Sequence, residues 1–287
     1  MTVYCLGSIN ADHVYTVPHL PAPGETLAAN GLTRGLGGKG ANQSVAAALA
    51  GARVVHIGAV GADGDWAVQR LARFGVETDH IAICDAPTGH AIINVAPDGE
   101  NAIVILPGAN MRQDTGRIAD ALAGAGRGDT LLLQNETSHQ AEAAALATAS
   151  GLRVVYSAAP FDLAALGAVL PHLSLLVLNA VEDAQMRAAP GRRIDGSEII
   201  VTDGPRGAVW RFHGQTLSMP AFPVTPVDTT GAGDCFIGSL VAALDRGLPR
   251  PEALRYASAA AAIQVTRPGT ADAMPPRAEV EAFLARA

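Results

Sequence analysis

Residues 153–178 read RVVYSAAPFDLAALGAVLPHLSLLVL. Two short runs, Arg153–Tyr156 and Leu175–Leu178, are apolar at nearly every position, and an alanine-rich segment with helical spacing, Leu163–Val169, lies between them. A strand that is apolar throughout has no face left for water, so other elements must cover both sides. Two such strands joined by a helix make a parallel β-α-β unit. The pattern continues in both directions. Strands are expected at Val3–Ile9, Arg53–Ala59, Thr130–Leu133 and Glu198–Thr202, and helices at Ala41–Ala50, Asp65–Phe74, Gln140–Ala149 and Ala180–Arg187. Beyond about Gln215 the chain reads as mostly helical, at Ala232–Asp245, Pro251–Thr266 and Pro276–Ala285. The expectation is an α/β layered fold with a mostly parallel central sheet, in a single domain over residues 1–287.

Four segments break the scheme. Asp12–Val17, Thr26–Arg34, Thr88–Val95 and Asn101–Leu106 alternate polar and apolar residues with period two, as half-exposed antiparallel strands do. The last two are joined by Ala96-Pro97-Asp98-Gly99-Glu100, a hairpin-type turn. They are expected to form a small inserted sheet that serves as a lid over a cleft; an ordinary edge extension is the competing reading.

Composition removes several function classes. The 287 residues are 49% hydrophobic and 16% charged, with 31 Gly and 18 Pro spread along the chain, too apolar for a disordered protein. With 20 Lys+Arg against 27 Asp+Glu the net charge is −7, which argues against a basic nucleic-acid surface. No apolar run reaches the roughly 18 residues of a membrane span. The start, Met1–Gly7, lacks a basic leader and reads as a strand. Cys5, Cys84 and Cys235 suit neither a disulfide framework nor a zinc site, so a reducing cytoplasm is expected.

Chemistry concentrates at strand-to-helix junctions. Val227-Asp228-Thr229-Thr230-Gly231-Ala232-Gly233-Asp234-Cys235-Phe236 opens a helix. Small residues there leave the amides of Gly231, Ala232 and Gly233 uncovered at a positive helix end, an anion site suited to a phosphate. Asp234, in the first turn, is ill-placed to bind that phosphate but well placed to take a proton from a hydroxyl attacking it. A simple helix cap gives the same spelling. Cys235 beside it is read as a packed helix residue, since nothing activates its thiol.

Gly35-Leu36-Gly37-Gly38-Lys39-Gly40-Ala41-Asn42-Gln43 satisfies a G-x-G-x-x-G spacing, but the segment before it is a lid strand, and Arg53–Val60 does not end in the acid that would grip a ribose of a dinucleotide. What remains is a glycine-lined loop open to a polyhydroxylated ligand, with Lys39 and Asn42 as hydrogen-bonding groups. In Gly7-Ser8-Ile9-Asn10-Ala11-Asp12, Asn10 and Asp12 share one side of a strand and can grip vicinal hydroxyls. Asn179 and Glu182, one turn apart after Leu175–Leu178, can orient waters on magnesium or form a helix cap. Glu136 offers a carboxylate at the same sheet edge. Thr202-Asp203-Gly204-Pro205-Arg206-Gly207 either turns amides and the Thr202 hydroxyl toward a nucleotide or makes a hairpin into Ala208–Phe212. No zinc-hydrolase histidine pattern and no G-x-S-x-G elbow occurs.

Together Gly7–Asp12, Gly37–Gln43, Asn179-x-x-Glu182 and Asp228–Asp234 resemble the PfkB sugar-kinase family, and within it the ribokinase branch, over essentially the full chain. The resemblance implies a ribokinase-like three-layer α/β/α domain with a small β-sheet lid. It implies ATP-dependent phosphorylation of a primary hydroxyl, the 5-hydroxyl if the sugar is D-ribose, giving D-ribose 5-phosphate. Asp234 matches the catalytic base, and the Gly231, Ala232 and Gly233 amides match an anion hole. Asn10, Asp12, Gly38, Lys39, Asn42 and Glu136 match sugar contacts. Asn179, Thr202, Gly204, Gly207, Gly233 and Ser258 fall on the nucleotide side, and Asn179 with Glu182 would organise Mg2+. A monovalent cation, usually K+, is implied beside the base, where Asp228 and the Thr230 carbonyl match, with Arg267 and Gly269 on the neighbouring loop. The implied partners are a small sugar and ATP, with no nucleic acid or membrane, and a second copy docked through the lid as a homodimer.

Three departures from the family pattern stand out. Ala273 replaces a Ser common on the cation loop, Ser258 replaces a His often near the adenine, and the stretch from Glu182 to Glu198, with Ala188-Ala189-Pro190-Gly191 in it, is short. Rival acceptors are deoxyribose, a ketohexose, a nucleoside or pseudouridine. Asn10 favours an acceptor with a further hydroxyl, because an unpaired buried amide costs roughly 1–3 kcal/mol. Aromatic residues make up only 4%, which leaves no obvious shelf for a base. A non-catalytic sugar or nucleotide sensor would predict a broken base or loop, and both are intact.

Overall fold

The first strand shows how the layers arise. In β1 (Thr2–Leu6), Val3 and Cys5 enter one apolar core while Tyr4 and Leu6 enter another, because successive side chains point to opposite faces. The same division runs through β4 (Arg53–Gly61), β8 (Thr130–Gln134), β9 (Arg153–Ser157), β10 (Leu175–Asn179) and β11 (Glu198–Thr202). A computed structural model describes residues 1–189 and 197–287. Its main sheet has nine strands in the order β13-β12-β11-β10-β9-β8-β1-β4-β5, where β5 is Glu77–Cys84, β12 is Ala208–Phe212 and β13 is Gln215–Met219. Strands β11 through β5 pair in parallel; β12 and β13 extend the sheet antiparallel.

One face is covered by α1 (Lys39–Leu49), α2 (Asp65–Arg73), α7 (Ala232–Asp245), α8 (Arg250–Gln264) and α9 (Arg277–Leu284). The other is covered by α3 (Thr115–Leu122), α4 (Gln140–Ala149), α5 (Leu163–Val169) and α6 (Ala180–Ala188). This is the three-layer α/β/α arrangement. A separate four-stranded sheet, β3-β2-β6-β7, is built from β2 (Asn10–Thr16), β3 (Gly31–Gly37), β6 (Gly89–Val95) and β7 (Asn101–Leu106). Its β2–β6 pairing is parallel and the other two are antiparallel.

Several elements differ from the sequence expectation. The second strand of the small sheet lies at Gly31–Gly37, shifted from Thr26–Arg34, because pairing with β2 from Asn10↔Gly37 to Thr16↔Gly31 outweighs the weak strand tendency of three glycines. The first strand ends at Leu6, and Asn10 already belongs to the lid. Edge strand β5 and helix α3 have no counterpart in the sequence expectation, although Ile118, Ala121 and Leu122 give α3 a buried stripe at helical spacing. Ala208–Phe212 follows the hairpin reading, and Gln215–Met219 is a strand where helix begins to be expected. Of the short stretch between Glu182 and Glu198, residues 190–196, with Pro190 and Gly191, lie outside the described residues.

Candidate active site

The end of β1 and the start of α1 touch backbone to backbone. A Cβ on Gly7 would fall onto Gly40 Cα, and one on Gly40 would fall into Gly7, so only hydrogen fits at either place. Gly38 precedes the helix at φ 89°, the left-handed region, and Ala41 N donates to Ser8 O at 2.9 Å. The loop is closed by Glu136, whose Oε2 accepts from Ser8 Oγ and from Lys39 N at 3.1 Å, while Lys39 Nζ lies 3.8 Å from Glu136 Oε1. Thus β1, α1 and the end of β8 meet at one point.

Helix α7 points its N-terminus at the same point. Gly231 caps it at φ 80°, and Asp234 sits in the first turn with its side chain buried. Its Oδ2 accepts from Asn42 Nδ2 at 3.1 Å and its Oδ1 from Gln43 Nε2 at 2.9 Å, both on α1. Gln43 Oε1 accepts in turn from Gln134 Nε2 at 2.8 Å. Gly233 has no atom within 4 Å of where a Cβ would stand and no positive φ, so neither protein packing nor backbone geometry requires a glycine there. Burial pushes the Asp234 carboxyl up to about 6, against the opposing pull of Lys39, Gln43 and Asn42. Asp12, packed against Gly37, is also pushed up to about 6, by burial first and by Glu136 second. Burial alone would lower Lys39, but Asp234, Glu136, Glu182 and Asp12 together raise it, which makes this lysine the common centre of four carboxylates. Burial pushes the neighbouring Cys235 thiol up to about 12, so it stays protonated.

Asn10 is held in the lid. Its Oδ1 accepts from Asn110 Nδ2 at 2.7 Å, and Asn110 is itself fixed by Ile9 N at 2.9 Å. The amide nitrogen of Asn10 is thereby oriented as a free pair of donors.

At the ends of β10 and β11, Asn179 stands beside Thr202. Asn179 Oδ1 accepts from Val181 N and Glu182 N, both at 2.9 Å, and Glu182 Oε2 accepts from Asn179 N at 2.8 Å, a complete capping box. The second Glu182 oxygen is not part of that cap, and Lys39 draws the partly buried carboxyl back against the upward push of burial. The Thr202 hydroxyl donates to Leu178 O at 3.4 Å, and Gly207 N donates to Gly204 O at 3.1 Å. Residues 202–208 therefore form the hairpin turn into β12, with those donors spent internally. Ser258 is buried on α8.

On the loops flanking α7 and α8, Asp228 accepts from Thr230 N at 2.9 Å and Gly269 N at 3.0 Å. The Arg267 guanidinium turns away to pair with Glu279, so that side chain is not part of the cluster. Five residues of the site were not assigned a role from the sequence: Ser8, Gln43, Asn110, Gln134 and Gln264. All are uncharged polar residues buried here; Ser8 and Gln43 lie within the quoted motifs, and Gln134 and Gln264 are signalled only by a polar residue on the core side of a strand or helix.

The model of the pfkB family carbohydrate kinases matches residues 2–277. The ribokinase of Haemophilus influenzae is 37% identical over 303 aligned positions, covering 100% of this chain and 99% of its own. A crystal structure of the ribokinase of Cryptococcus neoformans in complex with ADP matches with a TM-score of 0.82 at 33% identity, covering 98% of each chain. The structure of Arabidopsis thaliana ribokinase complexed with ribose and ATP matches with a TM-score of 0.87 at 28% identity, over 99% of this chain and 98% of that one.

Proposed function

Because the chain belongs to the PfkB family of carbohydrate kinases, we propose that it moves the γ-phosphoryl group of ATP to the 5-hydroxyl of D-ribose. The observation that carries this is the buried Asp234 at the N-terminus of α7, held on both oxygens by α1 of the glycine-lined loop. Two amide donors fix the carboxylate's orientation, so it waits in position for the sugar proton. The adjacent amides of Gly231 and Gly233 face the transferring phosphoryl group as fixed dipoles, while Ala232 N donates instead to Thr229 O at 3.3 Å. Lys39 sets one positive charge among the four carboxylates and so offsets part of their repulsion of an anionic phosphate.

The sugar is gripped by Asn10, Asp12, Gly38, Lys39, Asn42 and Glu136. The nucleotide lies along Asn179, Thr202, Gly204, Gly207, Gly233 and Ser258, on the side where β10 and β11 end. Magnesium fits: it keeps several waters and takes few protein ligands, so the second oxygen of Glu182, steadied by the Asn179 cap, suffices to orient its water. Such an ion supplies charge neutralisation on the phosphates. The monovalent cation does not fit, for a reason developed below.

Edge strand β7 exposes Ile103, Val104, Ile105 and Leu106, an unpaired apolar border that a second copy would cover, giving a homodimer through the lid. Among the described residues no helix is long and apolar enough to cross a membrane, and we place the enzyme, one kinase domain, in the cytoplasm. ADP release from MgATP should be measured across a panel of pentoses, hexoses and nucleosides. Strong turnover on D-ribose is expected; turnover confined to a nucleoside or ketohexose would replace the acceptor, and silence across the panel would favour a sensor.

A further inference from the structure

Gln264 ends α8 with its side chain fully buried between the loop entering α7 and the loop leaving α8. Its Nε2 donates to Thr230 O at 2.8 Å and to Gly269 O at 3.1 Å. A carboxamide nitrogen carries two hydrogens, so both are spent on these two carbonyls. They belong to two of the residues that the family resemblance gives to a monovalent cation. An ion held by both oxygens would have to share them with the Gln264 nitrogen. Among the side chains of the donor set, both Asp228 oxygens already accept loop amides and Ala273 has no hydroxyl to offer.

We propose that the Gln264 carboxamide takes the place of the monovalent cation, clamping the two loops through a tethered pair of N–H donors so that turnover needs no potassium. Two carbonyl dipoles that converge repel unless something positive lies between them. An ion supplies that charge reversibly; the amide supplies a partial charge permanently. The buried Gln264 Oε1, which has no hydrogen-bond partner, marks the orientation. Reversing the amide would set three oxygens together and rebuild a cation site with Gln264 as a ligand. Gln264 is a positioning residue, acting on α7 and Asp234 through the loop that carries Thr230.

The inference rests on the sugar-kinase reading for its activity arm only. Protein exchanged into tetramethylammonium salt is compared with the same protein in sodium and potassium salts at equal ionic strength, reading both melting temperature and ribose-dependent ADP release. The wild type is expected to show the same melting temperature and the same turnover in all three. Gln264→Ala is expected to lose turnover by on the order of tenfold without potassium, as loss of a buried hydrogen-bonded partner implies, and to regain it saturably as potassium is added. It should also melt higher in potassium than in tetramethylammonium, because an ion that binds only the folded chain stabilises it. Should Gln264→Ala not fold, Gln264→Ser reads the same two arms. Saturable activation or stabilisation of the wild type by potassium would overturn the proposal, as would a variant fully active without potassium or one that no cation repairs. The melting arm reads cation binding even if no sugar is phosphorylated, so failure of the kinase reading is seen separately.

Discussion

Asp234 couples the chemistry to pH in two opposite directions. As the base it must be ionised, so kcat/KM is expected to fall about tenfold per unit below a pH near 6 and to level off above it. Stability carries the other sign. The folded chain holds this proton to about 6, whereas an exposed aspartate releases it near 3.8, so the group's contribution is full at low pH and is lost as pH rises through 6. Asp234→Asn should therefore lower turnover by about 10²–10⁴-fold, keep sugar binding in calorimetry, and flatten the fall in melting temperature between pH 4 and 6 relative to wild type. Wild-type turnover in that variant would remove Asp234 from the mechanism. Asn10 gives a second residue-scale outcome: Asn10→Leu should lower kcat/KM on D-ribose far more than on 2-deoxyribose, since only the former leaves a hydroxyl facing an apolar side chain. The outer members of the cluster were legible in the sequence because Asp234, Lys39, Asn42 and Glu136 sit at glycine-rich or strand-end positions. The amides behind them were not: Gln43, Gln134 and Gln264 come together only through tertiary folding, at sequence separations that no local pattern encodes.

At the scale of elements, two glycines separate structure from chemistry. Gly40→Ala forces α1 off the end of β1 and is expected to cost about 1–3 kcal/mol, seen as a lower melting temperature. Gly233→Ala meets no protein atom within 4 Å, so its melting temperature should stay level or rise slightly, while turnover drops about 10- to 100-fold as the methyl displaces the phosphoryl group. An equal loss of stability in both variants would mean that Gly233 is a packing glycine. The same physics decided which elements could be read in advance. Strands such as Leu175–Asn179, buried on both faces, announce themselves as continuous apolar runs. Strand β5, at the sheet edge and half exposed, and β3, with glycine at three of seven positions, take their conformation from their partners. The turn at 202–208 spelled both a nucleotide-facing loop and a hairpin; it is a hairpin, with Ala208 paired to Thr202, and it stands at the end of β11 where the nucleotide is proposed to lie.

For the whole molecule, the lid joins catalysis to assembly. Strand β2 holds Asn10 and Asp12 at one end of the small sheet, and β7 forms its apolar outer border. Sedimentation should show a dimer, and Val104→Lys should give a monomer whose melting temperature changes little, since Val104 is 69% exposed in the single chain. A wild type that sediments as a monomer at all accessible concentrations would leave β7 without its proposed partner. The central claim is that one buried carboxylate delivers the primary hydroxyl of ribose to the γ-phosphorus. Phosphorus NMR of D-ribose with MgATP and the wild-type protein tests it most directly. The expected result is a single new phosphate monoester coupled to the C5 protons, formed as the γ-phosphate signal disappears; phosphate appearing on C1, or only as inorganic phosphate, would contradict it.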